Sequence, residues 1–478
     1  MALAAAIGSN SYFRRISRLK KLFWLYFLLL IFEGALRKWV APQLSAPLLI
    51  IRDPVSIAII WEAYRTHRWP ARWTAVAAAL TVGIVSLFVL QAVVGDNPWF
   101  VGLYGLRSYL LPFPVIFIMA ENLDAEDLRR LGLCTLWILL PMSLLEVMQY
   151  LSPASSFVNK GAYEGAEQIG FVGAHIRAAG TFSFNVGSVE YDLLAAAFIL
   201  YGMVKENFAP KWLLLASTFA LVVSIPMMGS RGLVFQLAAM MICVGIGAMM
   251  GISQFGKALR ILLPVAIVTL LVSQLPVFSD ATSGLGSRFA NAGVEGSPLH
   301  TLYYRVTTPI IDSLEAITST NNWLGVGMGR GAVAMQKLLT GETGVSIVGE
   351  GDFPHVLGEM GPAAGLGYEL FRLFLFLAIL GKALARARDH EPLPLLLVTV
   401  VVVNLLFASP EQATEQGFMV IAAAFCIAAA KIQVHARIPA AQFMLRRQRI
   451  LARRQTRIGE TRPGRRPPAY GDNFHRSE

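Results

Sequence analysis

Arg107, Arg177, Arg231, Arg305, His355 and Glu359 are the residues of this chain whose types and surroundings offer chemistry. Arg231 lies in Met228-Gly229-Ser230-Arg231-Gly232 and Arg305 in Tyr303-Tyr304-Arg305-Val306. His355 lies in Glu350-Gly351-Asp352-Phe353-Pro354-His355-Val356-Leu357-Gly358-Glu359-Met360-Gly361. A guanidinium grips an anion such as pyrophosphate through paired N–H bonds and stabilises charge developing on it as it leaves. An imidazole moves protons near neutral pH, which suits activation of a hydroxyl. Arg231, Arg305 and His355 are therefore the candidate catalytic set, with Arg177, Arg107 and Glu359 as candidate substrate contacts. Plainer readings stand beside these: an arginine can snorkel to an interface or pair with an acid, and a histidine can cap a helix or sit hydrogen-bonded in a core. The surrounding loops lack a repeated Asp/Glu/His ligand spacing, so neither a metal nor another cofactor is expected.

The elements that must position these residues are membrane spans. Of the 478 residues 55% are hydrophobic and 15% charged, and the mean hydropathy is +0.56, values that belong in a bilayer rather than in water. The fold class expected is an all-α polytopic membrane protein, with about twelve spans from the hydropathy. The first six run near Leu22 to Val40, Ala46 to Trp61, Trp73 to Val94, Phe100 to Ala120, Leu131 to Leu151 and Val186 to Val204. The others run near Trp212 to Met228, Leu233 to Met249, Leu259 to Phe278, Ala363 to Leu384, Leu395 to Ala408 and Phe418 to Ile432. The second and eleventh are short enough to tilt or re-enter. Within span one Glu33 and Arg37, four apart, share a face and can pair, and Lys38, Arg52 and Asp53 read as partners in the same structural pairing. Cys134, Cys243 and Cys426 lie singly in apolar runs, which argues against disulfides and structural zinc.

Lys and Arg near span ends stay cytoplasmic, and alternate connections carry them: Arg65, Arg68 and Arg72; Arg129 and Arg130; Lys205 and Lys211; Lys257 and Arg260; Lys382, Arg386 and Arg388. Both termini are then cytoplasmic, with 1–21 as an N-terminal segment, 22–432 as the membrane domain and 433–478 as a basic tail. That tail interleaves arginines with Phe443, Met444, Leu445, Ile450 and Leu451, a pattern for lying on anionic lipid, and its end reads as disordered. The net charge of +11 is a topology and lipid signal, not a nucleic-acid one. On the opposite side stand two long loops, 152–185 and 279–362, the second with Leu302, Ile310, Ile311, Leu314 and Ile317 at helical spacing for a surface helix. All of the candidate residues fall on that outer side.

At these residues the chain resembles the O-antigen ligase and O-antigen polymerase superfamily of bacterial surface polysaccharide assembly. The resemblance rests on Gly229-Ser230-Arg231-Gly232 after an apolar span, then Arg305 followed by Trp323-Leu324-Gly325-Val326-Gly327-Met328-Gly329, then His355 before Leu357-Gly358-Glu359-Met360-Gly361-Pro362-Ala363-Ala364-Gly365. It covers mainly Val186 to Leu384. It implies a GT-C-type glycosyltransferase architecture with a large periplasmic loop, in the bacterial inner membrane. A polyprenyl-pyrophosphate-linked glycan would enter sideways from the lipid, Arg231 and Arg305 would hold its pyrophosphate, and His355 would activate or orient the acceptor without a metal. Attack at the anomeric carbon would release polyprenyl pyrophosphate with inversion. Ligases and polymerases share the pattern; polymerase is the first choice because nothing here points to a lipid A core acceptor.

Two readings from other classes compete. A transporter tends to show two repeated halves with helices broken at the midplane, and no such repeat is visible. A scaffold subunit among other polysaccharide assembly proteins would not need arginines and a histidine on one face.

Overall fold

The computed structural model describes residues 2–161, 170–172, 175–249, 280–287, 323–332 and 352–432, with a few isolated positions between them. Helix dominates because an apolar run in lipid must satisfy every backbone N–H and C=O within itself. Eight stretches among the described residues are long and apolar enough to cross a bilayer: Pro42–Arg65, Ala71–Val93, Trp99–Asn122, Ala125–Leu151, Asn185–Val204, Lys211–Met228, Pro362–Arg388 and Ala413–Lys431. The helices are α1 (Ala2–Ala35), which ends in a π turn over Leu36–Val40, α2 (Ser45–Leu48), α3 (Arg52–Arg65), α4 (Thr74–Val93), α5 (Trp99–Leu110) and α6 (Pro112–Asn122). Then come α7 (Ala125–Leu151), α8 (Asn185–Val204), α9 (Lys211–Met228), α10 (Arg231–Met249), α11 (Asp352–Met360), α12 (Pro362–Arg388), α13 (Leu393–Leu406) and α14 (Ala413–Lys431). One short antiparallel ribbon, Phe171–Val172 with His175–Ile176, decorates the loop before α8.

The first, eighth and eleventh expected spans are helical as well. The first ends in the charged residues Glu33, Arg37 and Lys38, and the other two correspond to the shorter apolar helices α10 and α13. The ninth expected span, the surface helix between Leu302 and Ile317, and the tail 433–478 lie outside the described residues, isolated positions aside.

The core centres on α14 and α8, which are buried along most of their length. Ala422, Ala423, Ala424, Ala428 and Ala429 keep α14 slim, so α6, α12, α13, α8 and α1 all reach it. Small residues serve this purpose where lipid gives no hydrophobic drive between helices.

The two ends of this bundle differ in chemistry. At one end ion pairs join the basic connections: Lys20 to Asp124 and Asp127 at 2.6 and 2.5 Å, Arg72 to Glu121 at 2.5 Å, Lys431 to Glu121 at 2.9 Å and Lys205 to Glu391 at 2.9 Å. At the other end the close of α1 clamps Gly180-Thr181-Phe182-Ser183. The buried Lys38 ammonium donates to Gly180 O at 2.7 Å and to Phe182 O at 2.8 Å, and Arg37 donates to Ser183 Oγ at 3.0 Å. Thr181 Oγ1 donates back to Ile31 O at 2.6 Å. Glu33 takes Arg52 at 3.0 Å and Arg37 at 3.7 Å, so the pairing within span one reaches across to α3. Arg52 in turn donates to Ala413 O at the start of α14.

The clamp needs Gly34, because a Cβ there would stand 2.4 Å from Thr181 O and 2.6 Å from Ser183 N, both backbone atoms that cannot swing aside. Gly34→Val is therefore expected to lower stability by about 1–3 kcal/mol through overpacking, read as an earlier thermal midpoint of the purified protein, whereas Gly83→Val, which meets open space, leaves the midpoint unchanged.

Candidate functional site

Alternation of the helices brings the C-terminus of α4, the N-termini of α5, α11 and α14, and the segment 323–332 to one end of the bundle. Leu324 and Met328 are tied there by the buried Gln91 of α4: its Nε2 donates to Leu324 O at 2.6 Å and to Glu359 O at 2.7 Å, and its Oε1 accepts from Met328 N at 2.9 Å. Asn97 Nδ2 donates to Met328 O at 3.0 Å. Val326 N and Gly327 N donate to Gly358 O and Glu359 O of α11 at 2.8 and 3.2 Å. The glycines make this approach possible: Gly325, Gly327 and Gly329 have φ of 72°, 114° and 88°, and a Cβ on Gly329 would stand 2.1 Å from Val101 O.

The product of this threading is a buried carboxylate surrounded by donors. Glu359 has no exposed surface. Its Oε2 accepts from Gly329 N at 3.0 Å and from Tyr109 Oη at 2.8 Å, and its Oε1 accepts from Gly331 N at 2.5 Å. His355, one turn earlier on α11, puts Nε2 3.5 Å from Glu359 Oε1 and 2.8 Å from Glu411 Oε2. Glu411 comes from the connection between α13 and α14, is itself buried, and keeps Oε1 without a hydrogen-bond partner. Gly331 packs so tightly on the imidazole that a Cβ would stand 2.2 Å from His355 Cε1.

A second buried charge holds the frame of this site. The Arg372 guanidinium, on α12, bonds Asp352 at 2.5 Å and Glu369 at 2.9 Å and donates to Leu405 O at 2.6 Å and Ala408 O at 2.9 Å. One side chain thus fixes the first turn of α11 to the end of α13, three residues before Glu411. Burial pushes the Asp352 carboxyl up to about 6 in spite of this arginine.

The proton affinities divide the triad. Burial alone would lower the His355 imidazole, but the hydrogen bonds and charges of Glu359 and Glu411 outweigh it and push the group up to about 10. Burial would raise Glu359, yet its bonds to His355 and to the Gly329 N–H hold it below the ordinary carboxylate range. Glu411 is pushed up to about 8 by burial and then by the neighbouring Glu359 charge, with His355 opposing. At neutral pH the set is an imidazolium, a carboxylate and a carboxyl poised near the working pH.

His355, Glu359 and Glu411 each offer a ligand atom, all within 4.8 Å of one another, a spacing that admits a metal ion. The donors on them favour a proton instead. Both oxygens of Glu359 already accept from N–H or O–H groups, and a cation on Nε2 would have to displace the proton that the imidazole shares with Glu411.

The other sequence candidates fall as follows. Arg231 opens α10, directly after Gly229 in the left-handed region at φ 54° and Ser230, whose Oγ accepts from Leu233 N at 3.3 Å as a helix cap. Arg177 donates to Met228 O at 3.1 Å and Ala178 N to Met227 O at 3.2 Å, so the Arg177 side chain reaches the turn that leads into Arg231. Arg107 is bound to Asp53 at 2.8 Å and lies over the Tyr104 ring at 4.0 Å. Arg305 lies outside the described residues. Sequence reasoning missed Glu411, Tyr109, Gln91, Arg372 and also Arg330, which bonds Asn97 at 3.1 Å beside the glycine loop. No protein-family model and no curated protein matches the chain.

The raised affinities of His355 and Glu411 give the protonated forms their stabilising effect. That contribution is complete at low pH, below the ordinary values of both groups, and is lost as pH rises through about 8 for Glu411 and about 10 for His355. Thermal midpoints of the purified protein should fall as pH rises from the ordinary carboxyl value of 4.5 to about 10, the Glu411 part being complete by about 8, and the fall should be smaller in a His355→Gln/Glu411→Gln double variant. Equal falls in the two proteins would contradict the assignment.

Proposed function

We propose that the chain transfers glycosyl units from a polyprenyl-pyrophosphate-linked glycan to a sugar hydroxyl, polymerising repeat units at the periplasmic face of a bacterial inner membrane. The observation that carries this reading is the His355–Glu359–Glu411 network, set at the same end of an apolar bundle as the Arg177–Arg231 turn. The ion-paired basic connections at the far end make that end cytoplasmic under the positive-inside rule, together with both termini. The site end then faces the periplasm, where a donor with its lipid in the bilayer presents its pyrophosphate.

The chemistry follows from these groups. The acceptor oxygen attacks the anomeric carbon, the bond from that carbon to the phosphate oxygen breaks, and the electron pair leaves with polyprenyl pyrophosphate. Arg231 and Arg177, and Arg305 by the superfamily resemblance, stabilise the charge that gathers on the leaving group. The hydroxyl proton passes to the ionised form of Glu411, the minor form at neutral pH because its affinity lies near 8, while the hydrogen bond from the His355 imidazolium orients that carboxylate. His355 is thereby an orienting cation more than a free base, because both carboxylates hold its proton in place.

Purified protein given lipid-linked oligosaccharide should yield longer chains and free polyprenyl pyrophosphate. Arg231→Ala and His355→Ala should remain folded and lose turnover, and Glu411→Gln should lose about 10²–10⁴-fold in kcat, the usual size of a proton-transfer contribution. Glycan moved to a different acceptor would make the protein a ligase, and movement of donor without bond formation would sink the enzymatic reading.

A further inference from the structure

We propose that the bundle holds a hard cation, liganded by oxygen alone, between α7, α8 and α9. Glu146 of α7 and Asp192 of α8 are fully buried, and all four of their carboxylate oxygens lack a hydrogen bond. Ser188, one turn before Asp192 on the same face of α8, and Ser224 of α9 lie beside the Glu146 carboxylate. Both hydroxyls are also fully buried, and neither completes a hydrogen bond of good geometry.

The register of the three helices is fixed independently, by Ser143 Oγ donating to Ala220 O at 2.9 Å and Tyr191 Oη to Thr135 O at 2.7 Å. Glu146, Ser188, Asp192 and Ser224 therefore stand on three helices whose register is locked. Gly180 closes the group on the site side: a Cβ there would stand 3.1 Å from Ser188 Oγ and 3.3 Å from Glu146 Oε1.

Other buried acids have identified partners, Glu190 two side-chain amides, those of Asn404 and Gln236. Arg52 and Arg37 face Glu33, Arg372 faces Asp352 and Glu369, and His355 with two backbone N–H groups faces Glu359. Among the described residues no basic side chain pairs with Glu146 or Asp192. Two buried carboxyls without a basic partner must either keep their protons or be met by a cation, and a cation that both can ligate favours their ionised forms. The Glu146 carboxylate, with the Ser188 and Ser224 hydroxyls against it and Asp192 within electrostatic reach, offers ligands that are oxygen alone. Carboxylate and hydroxyl oxygens without nitrogen or sulfur suit Na+ or Ca2+ in preference to a transition metal. An ion there would brace the Gly180 segment that Lys38 clamps from the other side.

The test uses the full-length protein, stripped with EDTA in choline chloride at constant ionic strength and pH, and titrated with NaCl or CaCl2 while thermal unfolding is followed. A cation that binds the folded state raises the midpoint saturably. The expected result is such a rise with one of the two salts and none with added choline. Ser188→Ala and Ser224→Ala, which keep both carboxylates, should each shift the half-saturating concentration upward by about tenfold, one lost ligand's worth of affinity. Asp192→Asn should remove the response. A midpoint indifferent to both cations, or a response unchanged in all three variants, overturns the proposal. No glycan enters the assay, so its outcome is separate from that of the glycosyl-transfer reading.

Discussion

A carboxylate with no exposed surface has to be solvated by the protein, and the solvation of Glu359 organises the candidate site. Water would supply several hydrogen bonds to such a group, and removing them without replacement costs several kcal/mol or more. The replacements here are Gly329 N–H, Gly331 N–H, the Tyr109 hydroxyl and the His355 imidazolium. Two of the four are backbone donors, so the chain itself must run against α11, and only glycine leaves room for it to do so. The glycine-rich stretch is therefore a consequence of the carboxylate. Gln91 and Asn97 follow from the same constraint, since a backbone brought so close to a helix leaves carbonyls that must find donors.

Much of this arrangement is legible in the sequence, for identifiable reasons. Spans declare themselves by apolar length, and the helices from Pro42 to Met249 and from Pro362 to Lys431 follow the hydropathy within a few residues. The pairing of Glu33 with Arg37 shows in its four-residue spacing, but the stronger partner, Arg52, belongs to another helix and has no local signature. Likewise His355 and Glu359 stand out because they share a helix face. Glu411, 56 positions beyond His355, does not. A signal for it exists all the same. Ser409-Pro410-Glu411-Gln412 is a polar break between two apolar spans, and alternation puts it on the side of His355. A buried-site reading would weigh such a connection as heavily as the long loops. Arg372 was obscured differently: an arginine inside a span is expected near an end or in a pair, and its partners come from three separate segments.

The two carboxylates on the imidazole differ in role because they differ in donors. Glu359 receives neutral N–H and O–H bonds besides the histidine, which favours its charged form. Glu411 receives the histidine and keeps one bare oxygen, which favours its protonated form. Two titratable groups with affinities driven apart by their surroundings are the pattern that separates a permanent charge from a proton carrier. On this division Glu359 fixes the imidazolium, and Glu411 is free to exchange.

Placement at the end of the bundle completes the logic. Deep in the apolar core, an acid network would be frozen in its neutral state, and in open water it would lose its altered affinities. At the helix ends, with His355 partly exposed and Glu359 sealed, the network keeps its low-dielectric character on one side and an open approach on the other. The turn between α9 and α10, which Arg177 reaches and which leads into Arg231, also lies at a helix end, where a guanidinium keeps its charge at less cost than within an apolar span.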